Sequence, residues 1–357
     1  MNSQITHIYR DEILLAGLRE PANSRDELPE RMAAVEAACS DKAIGPLVHI
    51  IRFDTPVEGF DSEIGYFVED AIEAEGITTH RLRPMHFFSL RHHGPVASLR
   101  DPTRKLYEHM NLVGLAPELE LMELYHRYDP NDESKNDIEV RASFLAWPEV
   151  YREQLDRVLG PELTEQIWAG GEAITPFTLV DERASWVAES LERLKAHTDQ
   201  DQQFDILSRV ALVRPIEDIN KFKTLYTQLG DINQLIARQE ANLAELTPSR
   251  RFVDPPYYDG KVLHQSKVPY RPEAYEEANT DEQRRRAYCF CPLVREAEIP
   301  QIDPIFCYRA AGWARQFWEP ILGVEFTRCT ITHSILKGDP FCAWDYEMPA
   351  EFNQQSP

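Results

Sequence analysis

Five of the six cysteines fall between Tyr288 and Asp345: Cys289, Cys291, Cys307, Cys329 and Cys342. Cys289 and Cys291 alternate, which on a strand points both thiols to one face. Asp303 followed by Pro304 reads as an N-cap and a first helical turn. Cys307 then lies where a helix dipole lowers a thiol's pKa. Cys329 is expected on the strand after that helix. Lys337 to Pro340 reads as a turn, and Cys342 belongs to a closing strand from Phe341 to Glu347. Three uses of these sulfurs stay open. Cys289, Cys291, Cys307 and Cys342 could gather around a soft divalent metal such as zinc. Cys307 could act alone as a nucleophile. All could be small buried hydrophobes, since there is no C-x-x-C pair.

The second chemical signal is an acid among apolar neighbours. On the stretch Leu119 to Tyr125 the odd positions are Leu119, Leu121, Glu123 and Tyr125. A strand presents these four on one face. A carboxylate there is paired, or protonated with a raised pKa, or waiting for a cation. Arg141 on a neighbouring strand is the candidate mate if the site is merely structural. His92 and His93 lie near the same region. His126 falls on the face opposite Glu123, and His264 and His333 on later strands. His333 could serve a cysteine as a base given the right geometry.

The elements that hold these groups are legible in outline. A chain of 357 residues suggests two domains. The first, 1–148, reads as α+β. An apolar strand within Ile5 to Leu18 is followed by a helix with Met32, Val35 and Cys39 at helical spacing. Two strands follow, Pro46 to Phe53 and the alternating Ile64, Tyr66, Val68. The pattern then recurs. Leu82 to His92 is a strand, and Asp101 and Pro102 open a helix with Leu106, Met110 and Val113 on one face and Gly114 near its end. Leu119 to Tyr128 and Ile138 to Trp147 complete the repeat. A duplicated strand–helix–strand–strand unit forms one sheet with both helices on one side. The opposite face would curve around a cleft on the pseudo-twofold axis. Glu123, Tyr125, Tyr66 and His92 are the candidate ligand-binding residues of that cleft.

The run from Ser89 to Pro130, SLRHHGPVASLRDPTRKLYEHMNLVGLAPELELMELYHRYDP, resembles the GyrI-like small-molecule-binding family. His93, Gly94 and Pro95, the helix after them, and Glu123, Leu124 and Tyr125 leading to Asp129 and Pro130 carry the resemblance. It implies a central hydrophobic cleft in which a glutamate, here Glu123, meets cationic or aromatic ligands. Some relatives hydrolyse reactive xenobiotics, and Glu123 would then be a general acid or base. Regulators of that family carry a helix-turn-helix segment, which this sequence does not display.

Residues 149–204 read as a helical connector, with breaks at Gly170, Gly171 and Pro176. Later stripes follow Pro215 and Asp231 and run to Leu246. Thr247 to Lys261 reads as a long connection whose Tyr257 and Tyr258 could close over a pocket. Arg284 to Arg286 read as a solvated helix face. The last part, 205–357, resembles the 4-vinyl-reductase-type ligand-binding domain and its L-2-amino-thiazoline-4-carboxylic acid hydrolase-like relatives. Cys307, Gly323, Gly338, Asp339 and Cys342 match in order. Phenol-sensing relatives hold a structural zinc, and Cys307 and Cys342 match two of its ligands. The other two positions hold Ile331 and Ser334, so Cys289 and Cys291 would have to complete the set.

The formal charge of -22 disfavours nucleic acid and anionic membranes as partners. Met1 to Ile5 shows no basic segment leading into an apolar run, so no signal peptide is expected. Clustered cysteines then point to a reducing, cytoplasmic setting. The expected role is a small-molecule-binding protein, compatible with a homodimer. The alternative is a hydrolase using Glu123 or Cys307.

Overall fold

A computed structural model describes residues 4–22, 27–52, 60–113, 115, 117–144, 147–211, 216–245, 252–298, 302–350 and 352. The chain is α+β and divides into two units. One comprises Met1–Asn111 with Ala116–Leu145, the other Leu112–Leu115 with Ala146–Pro357. The expected features at Gly114, Pro215 and Leu246, and the side chain of Leu119, lie outside the described residues. So does the 247–251 part of the expected long connection.

The first unit holds strands β1 (Thr6–Arg10), β2 (Ile13–Ala22), β3 (Ile44–Arg52), β4 (Phe60–Val68), β5 (Thr78–Leu82), β6 (Met85–His93), β7 (Pro117–Arg127) and β8 (Asp137–Phe144). Helix α1 (Leu28–Cys39) follows β2, and α2 (Arg100–Leu112) follows β6. Leu28, Met32, Val35 and Cys39 recur every three or four residues, which gives α1 its buried stripe. The sheet order is β1-β6-β8-β7-β3-β4-β2-β5, all antiparallel. Exchanging β1–β4 one for one with β5–β8 gives the same order read from the other end, so a pseudo-twofold axis runs between β3 and β7. The expected duplication is present, with one addition. Each repeat has an extra leading strand, β1 or β5, which pairs with the other repeat. The strands expected within Ile5 to Leu18 and from Leu82 to His92 are β2 and β6, each preceded by one of these extra strands.

Two short turns set the curvature. Asp11 and Glu12 alone join β1 to β2, and Arg83 and Pro84 alone join β5 to β6. Three Cα steps reach at most about 11 Å. In a flat sheet those partners would be six spacings, roughly 29 Å, apart. The sheet must roll until its two edges meet. The inner face is identified by a cluster drawn from both edges: Ile13, Leu15 and Leu82 from one, Met85 and Phe87 from the other, with Val48, Ile50, Met122 and Leu124 between. At the glycine pair Gly17↔Gly65 the strands come close. A Cβ on Gly17 would stand 2.3 Å from the Ile64 carbonyl oxygen.

The helices cover the outer face. Phe88 meets His109 of α2 edge-on, and Tyr66 feels Glu36 and Cys39 of α1.

The second unit contains ten helices among its described residues: α3 (Trp147–Leu159), α4 (Pro161–Trp168), α5 (Val180–His197), α6 (Gln200–Ser208), α7 (Ile216–Leu229), α8 (Ile232–Glu245), α9 (Pro272–Glu276), α10 (Asp281–Tyr288), α11 (Pro292–Glu296) and α12 (Tyr308–Leu322). Its sheet is β11-β12-β10-β9, antiparallel, from β9 (Tyr257–Tyr258), β10 (Val262–Ser266), β11 (Cys329–His333) and β12 (Ala343–Glu347). Capping boxes at Asp199 and Thr280 start α6 and α10. Helix α12 ends at Gly323, whose φ of 67° suits glycine. Tyr257 and Tyr258 form an edge strand, with Tyr257 stacked on His264. The arginine triplet splits. Arg284 and Arg286 pair with acids on the surface, whereas Arg285 is buried and donates to the Val294 and Ala297 carbonyls. No described helix is long and apolar enough to cross a membrane.

Candidate functional site

Glu123 sits on β7 directly opposite His49 of β3. These are equivalent positions of the two repeats, so the pseudo-twofold axis passes between them. Both side chains are fully buried. The period-2 pattern explains why. Leu47, His49 and Ile51 share a face with Leu121, Glu123 and Tyr125, and that face carries the helices. Glu123 thus lies on the helix side of the sheet, not in the hollow opposite that the sequence suggested.

Side chains from two strands hold the Glu123 carboxylate, and a third strand supports one of them. His49 Nδ1 lies 3.1 Å from Oε2, and the Tyr125 hydroxyl donates to the same oxygen at 2.8 Å. The other imidazole nitrogen, Nε2, meets the Ser62 hydroxyl at 2.9 Å. Arg141 takes no part. It stands opposite Met122, so its side chain points to the inner face, where it donates to Glu139 at 2.6 Å. Two members of the site, His49 and Ser62, escape a reading of the sequence. His49 looks like one polar residue inside the apolar run Leu47 to Ile51. Only the β3/β7 register aligns it with Glu123.

Tyr66 and His92 share the outer face with Glu123 but make no hydrogen bond to it. Burial, then the charges of Glu36 and Cys39, raise the Tyr66 phenol. His92 Nε2 meets the Ser98 hydroxyl at 3.1 Å and the Pro95 carbonyl at 3.2 Å, which ties down the turn after β6. His126 points to the inner face and pairs with Glu139 at 3.1 Å.

In the second unit Cys289 and Cys291 do not alternate on a strand. Cys289 caps the C-terminus of α10 and Cys291 the N-terminus of α11, because Pro292 starts a new helix immediately. Asp303 does cap, accepting from the Ile305 N–H at 2.9 Å. Cys307 follows in a 3-10 turn that leads into α12. Cys342 lies one residue before β12, its Sγ accepting from the Ile335 N–H at 3.5 Å. Cys307 and Cys342 share a hydrogen bond, and Cys307 also meets the Ser334 hydroxyl at 3.4 Å. The dipole does not govern Cys307. Its hydrogen bond to Cys342, then burial, lift its pKa well above the ordinary thiol value. The same hydrogen bond lowers Cys342 to about 7, against burial and with help from the Ile335 N–H and Lys267. His333 stacks on Phe341 and bonds none of these sulfurs.

Cys289 is within electrostatic reach of Cys342, whereas Cys291 faces the Arg309 guanidinium at 3.8 Å. Among the described residues no three of His, Cys, Asp and Glu gather closely enough to hold an ion. The pair makes a testable unit. A thiolate absorbance step near pH 7 is expected from Cys342, and Cys307→Ala should move it upward. An unchanged midpoint in an ultraviolet titration would refute the shared hydrogen bond.

No family model and no curated protein matches the chain. Solved structures do. The EcmrR C-terminal domain is 15% identical with a TM-score of 0.35, covering 40% of this chain and 98% of its own. SAV2435 bound to tetraphenylphosphonium is 13% identical with a TM-score of 0.30, covering 42% and 97%. A hydrolase from Listeria innocua is 10% identical with a TM-score of 0.31, covering 40% and 91%.

Proposed function

We propose that the first unit binds a small lipophilic or aromatic cation, with Glu123 as the anchoring charge. One observation carries this reading. A carboxylate with no exposure to water lies at the centre of a duplicated sheet, held by a histidine and a tyrosine hydroxyl. Burying an ionised carboxylate is costly unless it is compensated. An imidazole compensates conditionally, because it carries charge only when protonated. A cation of fixed charge compensates always, so it can take over the carboxylate. With Glu123 fully covered, the ligand reaches it only when the cover of the outer face shifts. Tyr66, Tyr125 and His92 supply aromatic surface on that face.

The test is calorimetric titration with tetraphenylphosphonium, a lipophilic cation without hydrogen-bond donors. Wild-type protein should bind it. Glu123→Gln keeps the shape and removes the charge, and should weaken binding roughly 10- to 100-fold. Tyr125→Phe removes one of the two side-chain groups that share Oε2 and should bind at least as well. Equal affinity in wild type and Glu123→Gln, or no heat with wild type, would overturn the proposal.

A further inference from the structure

The turn that starts at Ser334 gathers two sulfurs from distant parts of the second unit. Cys307 comes from the 3-10 turn leading into α12, and Cys342 from the residue before β12. Ser334 is fully buried, and its hydroxyl stands 3.4 Å from Cys307 Sγ. The next residue, Ile335, donates its N–H to Cys342 Sγ at 3.5 Å. Both thiols thus meet one dipeptide, and a hydrogen bond joins them directly.

Their supports are fixed. The Cys342 N–H donates to the Tyr288 hydroxyl at 2.9 Å, and the Cys342 carbonyl accepts from the Lys267 N–H at 3.0 Å. The Tyr288 hydroxyl in turn donates to the Lys267 carbonyl. Ser334 is pinned from both sides: its N–H donates to Asp339 at 2.8 Å, and its hydroxyl accepts from the Leu336 N–H at 3.2 Å. Thiols in hydrogen-bond contact are the pairs that side-chain rotation can bring to the ~2.05 Å of a disulfide. Cys342 is buried and Cys307 only half-buried, so a small reagent enters on the Cys307 side. The other cysteines are set apart. Cys39 and Cys329 are fully buried, and Cys291 faces Arg309 at 3.8 Å.

We propose that Cys307 and Cys342 form a dithiol that small hydroperoxides oxidise to a disulfide. The Cys342 sulfur, which accepts from both Ile335 and Cys307, attacks the terminal peroxide oxygen. The O–O bond breaks, and the leaving oxygen takes the Cys342 thiol proton to become an alcohol, or water from hydrogen peroxide. Cys342 is then a sulfenic acid. The Cys307 sulfur displaces its hydroxyl, which takes the Cys307 proton and departs as water. Two electrons pass from the sulfurs to the peroxide, and an S–S bond ties the start of α12 to β12.

The test treats the full chain, reduced and then freed of reductant, with one equivalent of hydrogen peroxide. A chromogenic thiol reagent applied after denaturation should count two thiols fewer than the six of the untreated chain. Peptide mass mapping without reductant should join the Cys307 peptide to the Cys342 peptide, and dithiothreitol should part them. Cys307→Ser should stop at a Cys342 sulfenic acid that dimedone traps. Cys342→Ser should form no bridge, and Cys291→Ser should react as wild type does. An unchanged thiol count, or thiol loss without a bridge between these two residues, overturns the proposal. Mapping of the wild type decides this even where a variant fails to fold.

Discussion

Gly312→Ala should destabilise the second unit by about 3 kcal/mol, at the upper end of what overpacking costs. Gly312 lies inside α12, where that helix crosses the end of α6. A Cβ built there falls 1.8 Å from the Ser208 carbonyl oxygen and 2.7 Å from its Cα. These are backbone atoms, so no rotamer relieves the contact, and the two helices must separate. Separation also stretches the hydrogen bonds by which Arg315, 3% exposed, reaches the Ser208 hydroxyl (2.9 Å) and Asp205 (3.3 Å). The opposing effect is helix propensity, where alanine gains about 1 kcal/mol over glycine. Steric exclusion wins on these magnitudes. All six tryptophans lie in this unit, so their fluorescence follows its unfolding in urea. The midpoint should fall by roughly 1 M or more. A midpoint that rises would mean propensity decides and that the crossing is looser than described.

Periodicity carried the expectations that survive. Alternation on β7 placed Glu123 beside Leu121 and Tyr125, and the α1 stripe followed from Met32, Val35 and Cys39. Pairing did not follow, because a strand's partner is set by contacts far along the chain. The exchange of β1 and β5 between repeats left no local mark beyond the turns at Asp11 and at Arg83. His49 was invisible for the same reason. Its neighbour across the sheet is 74 residues away. The cysteine region misled through local similarity. An alternating C-x-C looks like a strand until Pro292 is weighed as a helix start.

The same duplication makes the first unit sensitive to acid. Its repeats place matching ion pairs on the inner face: Arg19–Asp61 (2.6 Å) with Arg91–Asp137 (2.8 Å), and Arg52–Glu63 (2.9 Å) with His126–Glu139 (3.1 Å). Glu139 is the tightest of them. Ser89 donates to it at 2.7 Å and Arg141 at 2.6 Å. Burial alone would raise its pKa, but Arg141, Ser89 and His126 outweigh burial and bring it to about 2. A depressed carboxylate stabilises the folded state fully above its unfolded pKa near 4.5, and the contribution vanishes as pH falls through about 2. The drop is worth about 3 kcal/mol. His86 acts earlier. Burial first, then the charge of His7, hold it to about 4, so its stabilisation is complete above 6.5 and declines as pH falls through 4. Acid loosening should thus begin with His86 and finish with Glu139. Glu139→Gln should lower stability by about 3 kcal/mol at pH 7, with the gap to wild type closing near pH 2. Amide exchange on β6, β7 and β8 reports this unit without interference from the tryptophan-bearing one. A gap that stays constant from pH 7 to pH 2 would assign the loss to packing, and the ionised carboxylate would no longer be what holds the inner face.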